Sequence, residues 1–541
     1  MTAMDAGFWT AMRIRKPWLR DICSLAFTVY YLFAAERADE KVRRVRATLT
    51  VEHLRVAWNK NQSPYLKFFQ LLLNPSRNKF APRAVRIPRP KESVYKEPVE
   101  AWLYFEGTRE ELKNCTKLIL DVPGGGYVAM SPRHHDDKLL AWSRQCPGIP
   151  VLAIDYRKAP EFPYPYGVNE VYDVYHTLIA TRGRCIGFNG DSTPRIVLVG
   201  DSAGGNFAAA VTLMILNSAS TSSTGHLSTL SPLPPPDGLV LIYPSLDLSM
   251  SSWMSDEQMK LIRQRNTPST RSIINRKSAA YTNTSLLPST PNSDSDSSSS
   301  NISPETPHYT TRLAMSSRLS YFSDRVLTPE MMRAMVMLYV GPHNKPDFAT
   351  DFLLSPIVAP ESLLARFPKT YFLTGERDPL VDDTVIFAGR IRAAKRAMRR
   401  HRREMGLDAR EVDEEEQVEV SLIQGISHGF LMMASLFPQA KREMRKCSGW
   451  FNAILADKEG VGKGNAGLAV PGEEMEGDGE GYTTAFTSED DRPLEIGGGL
   501  EPPKRTRRRP KYGSAHSLGS EVDIVGRRMK GLAKGLTKEE E

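Results

Sequence analysis

A serine stands between glycines at Gly200-Asp201-Ser202-Ala203-Gly204, with Gly205 and Asn206 following. Gly-x-Ser-x-Gly, placed after an apolar strand and before an Ala-rich helix, is the spacing a nucleophilic serine requires. The turn must be sharp enough to lift the hydroxyl clear of the backbone, and side chains at Gly200 and Gly204 would collide there. The same turn puts Ser202 at a helix N-terminus, where the amide of Ala203 can donate to a developing oxyanion. Upstream lies a second glycine-rich stretch, Asp121-Val122-Pro123-Gly124-Gly125-Gly126-Tyr127. Glycines let backbone amides approach a substrate closely. The amides of Gly125 and Gly126, with that of Ala203, would form a three-donor oxyanion hole, in which one donor is typically worth about 3 kcal/mol of transition-state stabilisation. No Gly-Lys-Ser/Thr follows these glycines, which argues against a phosphate cradle.

A serine nucleophile needs a base, and the base needs an orienting carboxylate. Among ten histidines, His428 stands out in Gly425-Ile426-Ser427-His428-Gly429-Phe430, directly after an apolar segment. The acid is expected at Asp378, in Thr374-Gly375-Glu376-Arg377-Asp378-Pro379-Leu380, with Asp382, Asp383 and Glu376 as competitors. The order nucleophile, acid, base then runs along the chain. The long gap between Ser202 and Asp378 is filled by a polar stretch, and the gap to His428 by a charged one.

Those residues need rigid elements behind them. Strands are expected at Lys117 to Val122, Pro150 to Asp155, Arg195 to Gly200, Gly238 to Tyr243, Thr370 to Thr374 and Val418 to Ile423. Helices are expected at Val168 to Ala180, Ala203 to Asn217 and Pro329 to Tyr339. Such alternation implies an α/β fold, a mostly parallel sheet with helices on both faces. Residues 1–100 read as helical, from apolar spacing around Leu54 to Trp58 and Tyr65 to Phe69. The catalytic region is placed at 101–455. It is interrupted by 253–320, rich in Ser, Thr, Asn and Pro and expected to be disordered, and by 395–417, basic and then acidic, expected as a charged helix or loop. Residues 456–541, rich in Gly, Glu and Arg, read as a disordered tail.

The 541 residues carry a formal net charge of +8, which favours anionic surfaces. Five cysteines without CxxC spacing argue against a disulfide framework and for a reducing, cytoplasmic setting. No metal-ligand spacing occurs, and the chemistry calls for no cofactor. The apolar run from Ile22 to Ala35 lacks a cleavage site and is short for a span, which needs about 20 residues. It reads as a packed or cap helix, with a helix on a membrane or lipid-droplet surface as the alternative.

Taken together, Pro123 to Ala129, Asp155-Tyr156-Arg157-Lys158-Ala159-Pro160-Glu161, Gly200 to Asn206, Leu354-Ser355-Pro356, Arg377 to Asp383 and Ser427 to Leu431 resemble the hormone-sensitive lipase family of esterases. The resemblance covers about 115–455 apart from the inserts. It implies an α/β-hydrolase fold with an N-terminal helical cap over the acyl pocket. It also implies a triad of Ser202, Asp378 and His428, and oxyanion donors at Gly125, Gly126 and Ala203. The family carries a His where Pro123 stands here, which bears on how the glycine loop is braced. The stretch 253–320 occupies a place similar to a regulatory insert of that family. Arg276-Lys277-Ser278 and Arg318-Leu319-Ser320 there match basophilic kinase sites, by which phosphate would add charge.

The expected function is carboxylic ester hydrolysis through an acyl-enzyme, on small-molecule or lipid esters such as acylglycerols or steryl esters. The alternatives are a non-catalytic ligand receptor on the same fold and a membrane-surface scaffold. Nucleic-acid binding has only the basic clusters behind it and is set aside.

Overall fold

The computed structural model describes residues 2–60, 79–221, 233–248, 326–407, 417–433 and 437–456, together with Ser63, Phe68, Ser317, Arg318, Tyr321 and Asp324. Its described strands are β1 (Arg83–Ile87), β2 (Val99–Tyr104), β3 (Lys117–Val122), β4 (Val151–Ile154), β5 (Arg195–Asp201), β6 (Gly238–Ile242), β7 (Lys369–Gly375) and β8 (Val418–Ile423). They form one sheet in the order β1-β2-β4-β3-β5-β6-β7-β8. From β4 through β8 the pairing is parallel, while β1–β2 and β2–β4 are antiparallel.

Alternate residues of each strand face opposite sides. Leu118, Leu120, Leu198, Leu239, Leu241 and Phe372 join one buried core, whereas Ile119, Val197, Val199, Val240, Ile242 and Leu373 join the other. Strands apolar on both faces must be covered on both. The longer described helices are α1 (Thr2–Ala11), α2 (Pro17–Phe33), α3 (Ala35–Ala47), α4 (Val51–Asn59), α5 (Asp136–Gln145), α6 (Tyr166–Ala180), α7 (Ala203–Thr221), α8 (Pro329–Val340), α9 (Val381–Glu404) and α10 (Pro438–Leu455). Trp142 of α5 and Phe451 of α10 meet edge to face at 5.2 Å in the second core. Residues of α6, α7, α8 and α9 fill the first. None of the described helices is long and apolar enough to cross a membrane.

Three sequence expectations need correction. Residues 1–100 are not helical throughout, because β1 and the start of β2 lie inside them. Val-Glu-Ala-Trp-Leu-Tyr of β2 already shows the alternating burial of a half-covered strand. Within the stretch 253–320, Ser317 and Arg318 are described and buried. Their partners are carboxylates of the acid loop, which a composition argument does not register. Finally, the charged stretch beginning at Lys395 is no separate insert at its start but the last turns of α9, with the Lys395 ammonium donating to the carbonyl of Phe367 at 2.5 Å. Residues 253–316, 408–416 and 457–541, and with them Arg276-Lys277-Ser278, lie outside the described residues.

Candidate active site

Each candidate residue follows the C-terminal end of a parallel strand, where open α/β sheets place their ligand sites. Ser202 follows β5, the glycines 124–126 follow β3, Asp378 follows β7 and His428 follows β8. The shared strand direction therefore gathers four distant chain segments at one edge.

Ser202 has φ +55, a left-handed conformation that a non-glycine residue adopts only when its surroundings enforce it. Its amide donates to the carbonyl of Ile242 at 2.9 Å, pinning the turn to the neighbouring strand. Gly204 abuts the carbonyl of Val122 so closely that any side chain there would collide with β3.

The Nε2 of His428 lies 3.0 Å from the Ser202 hydroxyl, and its Nδ1 lies 2.9 Å from Oδ2 of Asp378. A carboxylate only accepts, so the proton sits on Nδ1 and Nε2 is left to accept from the serine. The other Asp378 oxygen accepts the Leu380 amide at 2.8 Å, which fixes the carboxylate's orientation. The loops that carry Asp378 and His428 are stitched backbone to backbone: the Arg377 amide donates to Ile426, and the Glu376 amide to Ile423, each at 2.9 Å. The Tyr243 ring packs edge-on against His428 at 4.7 Å. Burial disfavours the imidazolium of His428. The charge and hydrogen bond of Asp378, aided by Asp324 and Asp201, outweigh it and raise its pKa above the ordinary 6.5.

The competing acids have other partners. Asp382 accepts the Ser317 amide at 2.7 Å. Asp383 accepts the amides of Leu246 and Asp247 and pairs with Arg318, all at 2.9 Å. Glu376 accepts the amide of Gly425 at 2.9 Å. The structure thus brings Asp378, and not these three, to the histidine. Arg318 is buried in that pairing, so Arg318-Leu319-Ser320 does not present the exposed basic residue that a kinase site there would need.

Gly126 and Ala203 line the pocket beside Ser202; Gly125, with φ +129, is not among its lining residues. Gly126 has φ +56 and fits between Met335 of α8 and Trp58 of α4, where a side chain would strike both. The turn after the glycines is held by the N-terminal helices. Arg55 of α4 donates to the carbonyls of Val128 at 2.9 Å and Ala159 at 3.1 Å, and Asn59 accepts the Met130 amide at 2.9 Å. Pocket walls are apolar at Leu248, Leu327, Met332, Met335, Val336 and Leu380, with Ser245, Asp247, Arg318 and Arg333 as polar members.

Sequence reasoning missed what braces the glycine loop. The Lys138 ammonium, buried on α5, donates to Asp121 of β3 at 3.0 Å and to Asp201 of β5 at 2.5 Å. The same Asp201 oxygen accepts the amide of Gly124 at 3.1 Å, and the carbonyl of Pro123 accepts from the Tyr156 hydroxyl at 3.0 Å. Pro123 therefore needs no side-chain hydrogen bond for the loop to be held on both sides. Burial alone would raise the Asp201 carboxyl, yet Lys138 and the Gly124 amide pull it below its usual range. Burial pushes Asp121 up to about 6 against the pull of Lys138, and it pushes His135 down to about 3, so His135 is neutral. A usable signal was present: a carboxylate at Asp121, inside an apolar strand, calls for a buried cation.

A family profile described as the alpha/beta hydrolase fold matches residues 119–304 and 301–407, more than half of the chain. Hormone-sensitive lipase of Mus musculus is 24% identical over 453 residues, covering 65% of this chain and 56% of that protein. An ethyl acetate hydrolase of Pseudomonas putida is 32% identical over 132 residues, 24% of this chain and 36% of that enzyme. The chain thus spans about half the length of the curated mouse lipase it matches. An esterase of Pyrobaculum calidifontis superposes with a TM-score of 0.49 at 18% identity, over 75% of this chain and 94% of that one. The resemblance read from the motifs is borne out by the family profile and by the match to hormone-sensitive lipase.

Proposed function

The chain belongs to the alpha/beta hydrolase fold family, and from that premise we propose that it is a serine carboxylic ester hydrolase acting through Ser202, His428 and Asp378. One observation carries the proposal: His428 spans a 3.0 Å contact to the Ser202 hydroxyl and a 2.9 Å contact to Asp378, in the order nucleophile, base, orienting acid.

As Ser202 attacks an ester carbonyl, its proton passes to Nε2 of His428. Asp378 holds the tautomer and stabilises the imidazolium. The carbonyl oxygen gains charge facing the amides of Gly125, Gly126 and Ala203. Protonated His428 returns the proton to the leaving alcohol, and the acyl group remains on Ser202. Water, deprotonated by the same nitrogen, then releases the acid. The apolar walls of Leu248, Met332, Val336 and Leu380 suit an acyl chain. With the similarity to hormone-sensitive lipase, they favour acylglycerol or steryl esters as substrates.

Hydrolysis of p-nitrophenyl esters from acetate to palmitate, by wild type and Ser202→Ala, tests the proposal. Activity is expected in the wild type and lost in the variant, and the chain-length optimum reports the depth of the pocket. A wild type inactive on every ester would instead favour a ligand receptor on the same fold.

A further inference from the structure

Helix α2 is turned the wrong way for a helix in water. Its inward side carries the small polar residues Ser24 and Thr28, with Tyr31 packed against the core beyond them. Ser24 is buried, with its hydroxyl donating to the carbonyl of Arg20 at 2.8 Å, and Thr28 donates to Ser24 at 2.7 Å. That side lies so close to α1 that a side chain on Gly7 would strike Thr28 and Ser24. The outward side is apolar. Trp18, Ile22, Val29 and Phe33 recur at helical spacing, with Leu32 beside them, and Leu32 and Phe33 are 65% and 89% exposed. A water-facing helix ordinarily carries the opposite arrangement.

Charge defines what would cover this face. Residues 22–35 contain no Asp, Glu, Lys or Arg, so the stripe itself is uncharged. Residues 12–21 carry Arg13, Arg15, Lys16 and Arg20 against one acid, Asp21, which lies 3.8 Å from Arg20; at the other end Glu36 precedes Arg37, whose guanidinium donates to the Tyr30 hydroxyl at 2.6 Å. An uncharged apolar stripe bounded by cations and aromatic rings complements the layered chemistry of a lipid surface. The stripe matches the acyl boundary, and the cations match anionic headgroups. At 17 residues the helix is too short to cross and suits a position in the plane of the interface.

We propose that α2 binds the surface of a bilayer containing anionic phospholipid, seating Trp18, Ile22, Val29, Leu32 and Phe33 at the acyl boundary. Because α4 of the same helical group contacts the turn after the oxyanion loop, the surface would hold the catalytic edge close to membrane-borne esters.

The test is cosedimentation of the full chain with vesicles of phosphatidylcholine plus phosphatidylserine, and with vesicles of phosphatidylcholine alone. The wild type is expected to bind the mixed vesicles, and to bind more weakly when phosphatidylserine is omitted. Val29→Glu/Phe33→Glu should reduce binding at least about tenfold while keeping a cooperative thermal transition. Phe33→Glu alone, at a side chain too exposed for packing to depend on it, should show part of that loss. No wild-type binding to mixed vesicles, equal binding to both compositions, or undiminished binding by Phe33→Glu would each overturn the proposal. So would a dimer that Phe33→Glu dissolves without any vesicle binding, which would assign the face to a second copy of the chain. Binding is read without turnover, so this result and that of the ester assay are independent.

Discussion

The ammonium of Lys138 lies 2.5 Å from the carboxylate of Asp201, the residue immediately before the nucleophile. Through Asp201 it also reaches the Gly124 amide, so one buried cation ties the nucleophile turn to the glycine loop. Lys138→Met should therefore lower kcat about tenfold or more with little change in KM, since the donors it positions act on the transition state. It also strands two buried carboxylates, which should cost about 3–5 kcal/mol in thermal or denaturant unfolding. Asp121→Asn in the Lys138→Met background should recover part of that loss. A double variant no more stable than Lys138→Met would break the proposed coupling.

The acid limb of kcat/KM should lie above the ordinary histidine value. The base works only as neutral imidazole, and Asp378, Asp324 and Asp201 raise the pKa of His428 above 6.5 despite its burial. Activity is thus lost as pH falls through that raised value. Asp324→Asn removes one of the raising charges and should move the limb to lower pH. A pH profile that does not move would exclude Asp324 from the electrostatics of the base.

Gly126→Ala should abolish most turnover, about a hundredfold or more, because the new methyl collides with Met335 at a backbone φ of +56. Adding Met335→Ala relieves one of the two collisions and should restore only part of the rate, since the contact with Trp58 and the unfavourable φ persist. Full recovery in the double variant would mean that the collision, and not the loop's backbone conformation, limits the reaction.

Arg318→Met leaves Asp383 buried without its cation and should destabilise the fold by about 3–5 kcal/mol. Asp383, pushed up by burial to about 6 despite Arg318, would then take up a proton more readily. The variant should be less stable than wild type above that value and nearer to it in acid. Chemical denaturation at two pH values measures the difference.

Much of this arrangement is legible in the residues themselves. The runs Lys117–Val122 and Val418–Ile423 are apolar and bounded by turn residues, and they coincide with β3 and β8. The elements missed are those whose signal depends on a neighbour. Arg83–Ile87 is an edge strand in which only Ile87 is fully buried, and it becomes a strand by pairing with β2. Lys138 sits in a charged run that reads as a solvated helix start, and its meaning comes only from Asp121 and Asp201, brought to it by parallel pairing. Ser317 and Arg318 are concealed by a Ser- and Thr-rich composition, though their partners lie in an acid loop recognised on other grounds.

Asp383 receives the chain on both sides of the long polar stretch, through the amides of Leu246 and Asp247 before it and through Arg318 after it. The Arg318 guanidinium also donates to the carbonyl of Asp247 at 2.6 Å, so the two ends are fastened to each other. In polymer terms the stretch is a closed ring whose ends meet at a single carboxylate. Doubling the contour of such a ring costs only about 0.6 kcal/mol in closure entropy. The described residues before and after the stretch are therefore fastened to one another at Asp383, whatever the length of chain between them.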